Sequence, residues 1–378
     1  MNPLWLIAIV LLVLFLQDIL YEKYIFRGLN IKRKFSRLSA FPGEELLLEL
    51  ELVNRKLLPI TWLHMEQRFP LIIELGSKEM VQYPNRAEAA HRSYLSILPY
   101  QKVKRTYHIK CLQRGFFDLK EIFLESTNLF GTKKYMLEKA AASQLTIYPR
   151  LPDVRSSLIP ANSMQGDILV RRWIMEDPLM ISGAREYVTS DDFRSINWKA
   201  TAKHGKLKVN KYDFTADKKI MLLFNMDACG DLWKGFEPAV IESSIEVCAS
   251  VAAELVKDGI PVGLATNAIC AGNMTFGNME PGTGEKHLSD ILEMLARIQY
   301  YCRFKFVELL ENVMGSISWG TELVIVTPYF DASIKESLYK TQGVKITVVA
   351  LERKDSGELP SNVELFIYDR AGEQHEAV

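Results

Sequence analysis

The residues best suited by type to do chemistry lie where an apolar run ends. Ile220–Phe224 (IMLLF) is followed by Asn225-Met226-Asp227-Ala228-Cys229, and the oxygens of Asn225 and Asp227 are hard donors of the kind that hold Mg²⁺. Thr266, just past a second apolar run at Ile260–Ala265, can add an outer ligand, as can Asp331. A thiol at Cys229 is a poor ligand for a hard cation. The apolar run Leu323–Val326 ends in Thr327-Pro328, where a metal site would be better served by an acid. Asn225, Asp227 and Thr266 therefore predict at most a weak, degenerate Mg²⁺ site, and no other cofactor is implied. Cys229 as a nucleophile needs a general base, and neither His204 nor His287 is near it in sequence. Pro281-Gly282-Thr283-Gly284 lacks both the Lys-Ser/Thr of a phosphate loop and a dinucleotide-binding spacing, so it reads as a turn.

A denser polar set lies upstream, in GAREYVTSDDFRSINWKATAKHGKLKVNKYDF at residues 183–214. Asp191 or Asp192 can cap a helix running to about Lys203; after Gly205, Leu207 and Val209 alternate with Lys206 and Lys208 as in a half-buried strand. Adjacent carboxylates point in different directions on a helix, so Asp191 and Asp192 form no acid–base dyad by themselves. Two readings stand. In the favoured one the acids cap, Arg194 pairs with an acid and Trp198 packs onto a sheet. In the other, Asp191, Asp192, Arg194, Trp198, Lys199 and Lys203 form a recognition face, Trp and Arg being the types most enriched at binding hot spots.

The elements that would position these residues follow from periodicity. From residue 220 onward continuous apolar strands (220–224, 260–265, 323–326, 344–350, 363–367) alternate with helical patterns at 239–257, around 288–295 and at 332–339. Strands apolar on both faces and interleaved with helices predict a doubly wound, mostly parallel α/β domain over 220–378. Residues 183–219 hold the polar run and 150–182, rich in Ser, Pro, Asn and Gly, form a connector. Between 31 and 149, Leu alternates with Glu in ELLLELELV, and short strands recur with few helical patterns, which predicts a β-sandwich. Such sandwiches bind or space more often than they catalyse.

Pro3–Leu20 is almost wholly apolar until Gln17 and Asp18, and with the juxtamembrane segment to residue 30 it is expected to be a transmembrane helix. Lys23, Arg27, Lys32, Arg33, Lys34 and Arg37 follow it, which would put the bulk of a single-pass membrane protein in the cytoplasm. Over 378 residues, 46 basic and 46 acidic side chains balance, so nothing suggests a nucleic-acid partner. Nine Lys/Arg against five Asp/Glu between Gly183 and Lys219 is only mildly basic. The five cysteines are dispersed without a CxxC, which argues against a disulfide framework or a zinc site.

Arg185-Glu186-Tyr187, Asp191-Asp192, Arg194, Ile196-Asn197-Trp198-Lys199 and Lys208-Val209-Asn210-Lys211-Tyr212 resemble the signature of domain-of-unknown-function family 58. That signature is roughly R-x-Y-x-x-G-D-x-x-R-x-I-D-W-x-x-(S/T)-A before a basic strand; here Ser190 replaces the usual Gly and Asn197 the usual Asp. PGEELLLELELVN, CLQRGFFDLKEIFLES, NLFG and IYPRLP are similar to the family's N-terminal region. The resemblance implies a membrane-anchored protein with a von Willebrand A-like domain, in which Asn-x-Asp-x-Cys stands where a metal-binding version has Asp-x-Ser-x-Ser. It implies a MoxR-type AAA+ ATPase as partner and, as a second partner, a membrane protein with a transglutaminase-like domain. The expected role is a non-enzymatic interaction component in cell-envelope or stress physiology. The rival is a metal-dependent hydrolase or ligand-binding protein using Asn225, Asp227 and Thr266.

Overall fold

The computed structural model describes residues 3–76, 80–82, 88–154, 158–160, 181–188, 196–212, 219–226, 238–272, 277–318, 320–341, 344–355 and 357–368. The chain divides into two compact units, Met1–Arg150 and Leu151–Val378.

Among the described residues of the first unit a helix, α1 (Pro3–Tyr24), precedes ten strands. These are β1 (Leu29–Phe35), β2 (Ser39–Ala40), β3 (Glu45–Asn54), β4 (Ile60–Pro70), β5 (Ile73–Leu75), β6 (Met80–Gln82), β7 (Glu88–Ile97), β8 (Lys102–Cys111), β9 (Gly115–Thr127) and β10 (Lys134–Ile147). They form a four-stranded sheet, β1-β3-β8-β5, and a six-stranded sheet, β2-β10-β9-β4-β7-β6. All pairings are antiparallel except β2 with β10. The period-two alternation in β3 explains the packing: Leu46, Leu48, Leu50 and Leu52 are buried. On the opposite face Glu49 and Glu51 meet Lys104 and Lys102 at 2.7 and 2.8 Å. Leu29, Leu50, Leu63, Met65 and Ile122 share one apolar cluster; Phe35, Leu48, Phe69, Ile109 and Leu145 share another. Each cluster draws on strands of both sheets.

Two expectations about the architecture are corrected. Among the described residues no helix is long and apolar enough to cross a membrane. The uninterrupted apolar run of α1 stops at Leu16, short of the roughly 20 residues a span needs. Its polar end is instead fastened to the turn between β9 and β10: Asn128 Nδ2 donates to Asp18 Oδ1 at 2.5 Å, and Lys133 pairs with Glu22 at 2.6 Å. Second, the chain is mostly β-sheet with mixed sheets, and the large sheet expected to be mostly parallel carries an antiparallel strand at each edge.

That sheet belongs to the second unit. Its strands are β11 (Leu158–Pro160), β12 (Ile181–Glu186), β13 (Lys208–Tyr212), β14 (Lys219–Phe224), β15 (Val262–Thr266), β16 (Ala268–Cys270), β17 (Asn278–Gly282), β18 (Ile298–Cys302), β19 (Thr321–Phe330), β20 (Ile346–Arg353) and β21 (Val363–Tyr368). Its helices are α2 (Trp198–His204), α3 (Pro238–Lys257), α4 (Glu285–Arg297), α5 (Phe306–Ser316) and α6 (Ala332–Tyr339). Seven strands order as β11-β21-β20-β19-β14-β15-β17, parallel from β21 to β15; β12 pairs with β13, and β16 with β18. Met221, Leu223, Leu323, Ile325 and Val348 pack with Phe306, Leu309 and Val313 of α5 and Ile334 and Leu338 of α6. Alternation sends Ile220, Leu222 and Phe224 to the other face, which α3 covers. Pro238 opens α3 at a position whose N–H has no helical partner. Gly259, at φ 78°, closes it: Ile260 N–H reaches Leu255 O and Gly259 N–H reaches Val256 O.

The alternation in β3 gives a direct test. Leu50→Ala removes a fully buried side chain and is expected to cost about 2–5 kcal/mol. Leu47→Ala, on the exposed face of the same strand, is expected to cost less than about 0.5 kcal/mol. Urea unfolding of the two variants measures both, and equal losses would contradict this packing.

Candidate functional site

The polar run is built on a hairpin. β12 and β13 pair antiparallel, Ile196 bridges Val209, and both apolar side chains are buried. Asn197, rather than Asp191 or Asp192, caps the helix: its side chain accepts from Ala200 N–H at 2.9 Å, and α2 starts at Trp198. Asn and Asp are both strong N-caps, which accounts for Asn serving where the family pattern has Asp. At the other end Gly205, at φ 67°, returns its N–H to Thr201 O. The Thr201 hydroxyl accepts from Lys208 N–H at 3.0 Å and Asn197 N–H donates to Lys208 O at 2.8 Å, so helix and strand are stitched on both sides.

This fastening leaves the outer face open. Trp198 is 68% exposed, and Lys199, Ala202 and Lys203 are exposed beside it. The expectation that Trp198 packs onto a sheet is therefore wrong: Ile196, two residues earlier, takes the buried place against Val209. Of the six residues predicted for the recognition face, Trp198, Lys199 and Lys203 are exposed on α2; Asp191, Asp192 and Arg194 lie outside the described residues.

A second polar centre sits at the carboxyl ends of the parallel strands. From β14 the chain crosses to β15 on one side and later to β19 on the other, so β14 and β19 diverge at a topological switch point, where open α/β sheets bind ligands. β19 runs on past the end of β14, which is why Pro328 sits in a strand without breaking the ladder on that side. Asn225 N–H donates to Val326 O at 2.9 Å as the last rung. Its side chain is fully buried: Nδ2 donates to Thr327 Oγ1 at 3.2 Å, and Oδ1 accepts from Asn267 Nδ2 at 3.2 Å. Asn267 Oδ1 accepts from Met226 N–H at 2.8 Å, while its Nδ2 also reaches Phe304 O at 3.3 Å. Thr266 Oγ1 accepts from Ala268 N–H at 3.1 Å. The oxygens proposed for a cation at Asn225 and Thr266 are thus already accepting bonds from protein. Asp227 and Cys229 lie outside the described residues. Among the described residues no cluster of three or more His, Cys, Asp or Glu could hold a metal ion. Asn267 was not singled out from sequence, although an Asn directly after an apolar strand is the available signal.

Nucleophilic chemistry finds no support in the described cysteines of the core. Burial pushes the Cys111 thiol up to about 11 and raises Cys248 further, away from the reactive thiolate.

Comparison with known proteins adds a family. A model described as "Protein of unknown function DUF58" matches residues 183–375. No curated protein matches the sequence. Among solved structures, the sporulation control protein Spo0M from Bacillus subtilis aligns at 11% identity and TM-score 0.19, over 32% of this chain and 49% of its own. A non-cellulosomal cohesin from Archaeoglobus fulgidus aligns at 9% identity and TM-score 0.22, over 31% of this chain and 91% of its own. AvmM, titled as catalysing macrocyclization in alchivemycin A biosynthesis, aligns at 11% identity and TM-score 0.22, over 32% of this chain and 90% of its own. The chain thus spans about half the length of Spo0M, and overlaps this weak carry no functional argument.

Calorimetry with Mg²⁺ is expected to find no site tighter than roughly millimolar, because a cation must first strip donors from Asn225 and Thr266. A micromolar site abolished by Asp227→Ala would overturn that.

Proposed function

The chain belongs to the family of proteins of unknown function DUF58, and from that membership we propose a non-enzymatic, protein-binding role in which α2 docks a MoxR-type AAA+ ATPase. One observation carries the proposal: the 68% exposure of Trp198 on a helix fixed at both ends. A large aromatic side chain left in water on a rigid support costs solvation with no return in the isolated fold. At an interface core the same indole is the type most often found as an energetic anchor. Lys199 and Lys203, four residues apart on the same helix, add positive charge and suit an acidic partner surface. The identity of the ATPase comes from the family resemblance; the surface supplies the chemistry of the contact.

The strand-end centre fits the same role. The order β17-β15-β14-β19-β20-β21, with β17 antiparallel at the edge, supports a von Willebrand A-like reading of the domain. Filling its switch point with amide–amide and amide–hydroxyl bonds supports a degenerate version that recognises protein. The same resemblance suggests a transglutaminase-like membrane protein as a second partner.

The test pairs stability with association. Trp198→Ala and the double change Lys199→Glu with Lys203→Glu are each expected to alter stability by less than about 0.5 kcal/mol, since the side chains are exposed. At an interface hot spot the tryptophan change should weaken binding by about 2 kcal/mol, roughly thirtyfold. Thermal melting and co-purification of the ATPase with the tagged full chain measure the two. Unchanged melting with unchanged co-purification would remove α2 from the interface.

A further inference from the structure

Two lysines of the first unit converge on one end of a strand pair. Lys56 lies in the loop after β3 and Lys139 on β10, and both are half-buried. Lys56 Nζ donates to Asn54 Oδ1 at 3.0 Å, and Lys139 Nζ donates to Leu29 O. Leu29 and Asn54 are register partners at the end of the β1–β3 ladder. Asn54 is fully buried, and its Nδ2 donates to Leu58 O at 3.0 Å and to Leu98 O at 3.1 Å, so the oxygen beneath Lys56 is fixed in place. Both acceptors are neutral. Among the described residues neither ammonium forms an ion pair. We propose that Lys56 is a modification site for carbon dioxide, its neutral amine adding to CO₂ to give a carbamate that pairs with the Lys139 ammonium.

Two like charges, each partly out of water and resting on neutral oxygens, favour the loss of one of them. Burial and the neighbouring Lys139 ammonium bring Lys56 down to about 8, and burial lowers Lys139 as well. At about pH 7.5 roughly a quarter of Lys56 is then free amine, against about one in a thousand for an ordinary lysine. In the addition, the amine lone pair forms an N–C bond to CO₂ while one C=O π pair moves onto oxygen. Nitrogen then sheds a proton to water, so that R–NH₂ and CO₂ become R–NH–COO⁻ and H⁺ with no change of oxidation state. The two lysines have complementary tasks. Lys56 supplies the uncharged nucleophile, and Lys139 supplies the cation for the anionic product through charge-assisted hydrogen bonds. Acylation by a neutral group would leave the Lys139 ammonium without a counter-charge. Carbamylation turns two like charges into an ion pair, and it reverses when CO₂ falls.

NMR of the full chain in carbon-labelled bicarbonate tests this, together with trapping of the carbamate as its ethyl ester by an oxonium reagent. A carbamate resonance is expected in the wild type, and the ester should map to the peptide carrying Lys56. Lys56→Arg keeps the charge and forms no carbamate, so that resonance should vanish. Lys139→Gln removes the cation and should weaken CO₂ uptake about tenfold, whereas Lys139→Arg should retain it. Melting establishes that each variant is folded, and the ester map on the wild type needs no variant. No ester at Lys56, an unchanged spectrum in folded Lys56→Arg, wild-type uptake in folded Lys139→Gln, or lost uptake in folded Lys139→Arg would each overturn the proposal. Phosphate binding without a labelled carbamate would also overturn it, since two protonated lysines would then be holding a free anion. None of these outcomes involves α2 or the ATPase.

Discussion

Two buried amides, Asn225 and Asn267, bond each other and the polar groups around them at the end of the parallel strands. A buried amide left without partners costs on the order of 1–3 kcal/mol, and both stand at a strand end where the ladder has just run out. Their solution links three strands and a loop: Asn225 ties β14 to Thr327 of β19, and Asn267 ties β15 to Met226 and to the backbone at Phe304. At this strand end the buried amides and the Thr327 hydroxyl bond one another. The polar centre acts as a fastening, and the surfaces available for recognition are displaced to either side of it.

Those surfaces are of different kinds. α2 is convex, short and capped at both ends, and it leaves an indole and two lysines exposed. The neighbourhood of α5 is concave and apolar at depth. Both rest on rigid backbone: the β12–β13 ladder in one case, the Asn267 bonds in the other. In the first unit the comparable investment goes into alternating strands whose Leu rows close two apolar clusters, with lysine–glutamate pairs on the wet face. Exposed pairs of that kind add little stability; the buried rows carry it.

Much of the strand pattern was legible in the chain, because strand and helix periods are local. ELLLELELV alternates with period two, and the strand Glu45–Asn54 contains it; IMLLF is apolar throughout, and the strand Lys219–Phe224 is covered on both faces. Less legible were the segments whose character depends on a neighbour. Phe306–Ser316 was not recognised as a helix although its apolar residues close one face of the large sheet, and Asn278–Gly282 pairs antiparallel at the edge with little apolar pattern of its own. The apolar N-terminal run suggested a membrane span, yet its polar end is engaged by Asn128 and Lys133, more than a hundred residues away.

The candidate sites divide the same way. Sequence by itself determined the family, through an ordered set of types around Ile196-Asn197-Trp198, and it determined that a helix and a basic strand flank Gly205. It also located the chemistry of the strand ends at Asn225 and Thr327, because an apolar run that stops at a polar residue marks the edge of a sheet. Tertiary structure alone decided what those residues do. Whether Trp198 is core or surface depends on which apolar neighbour reaches Val209 first, and Ile196 occupies that place. Whether Asn225 can serve a cation depends on Asn267, forty-two residues on, a pairing that exists only once β14 and β15 lie side by side. Period and residue type are properties of a segment, whereas exposure and hydrogen-bond partnership are properties of the packed sheet.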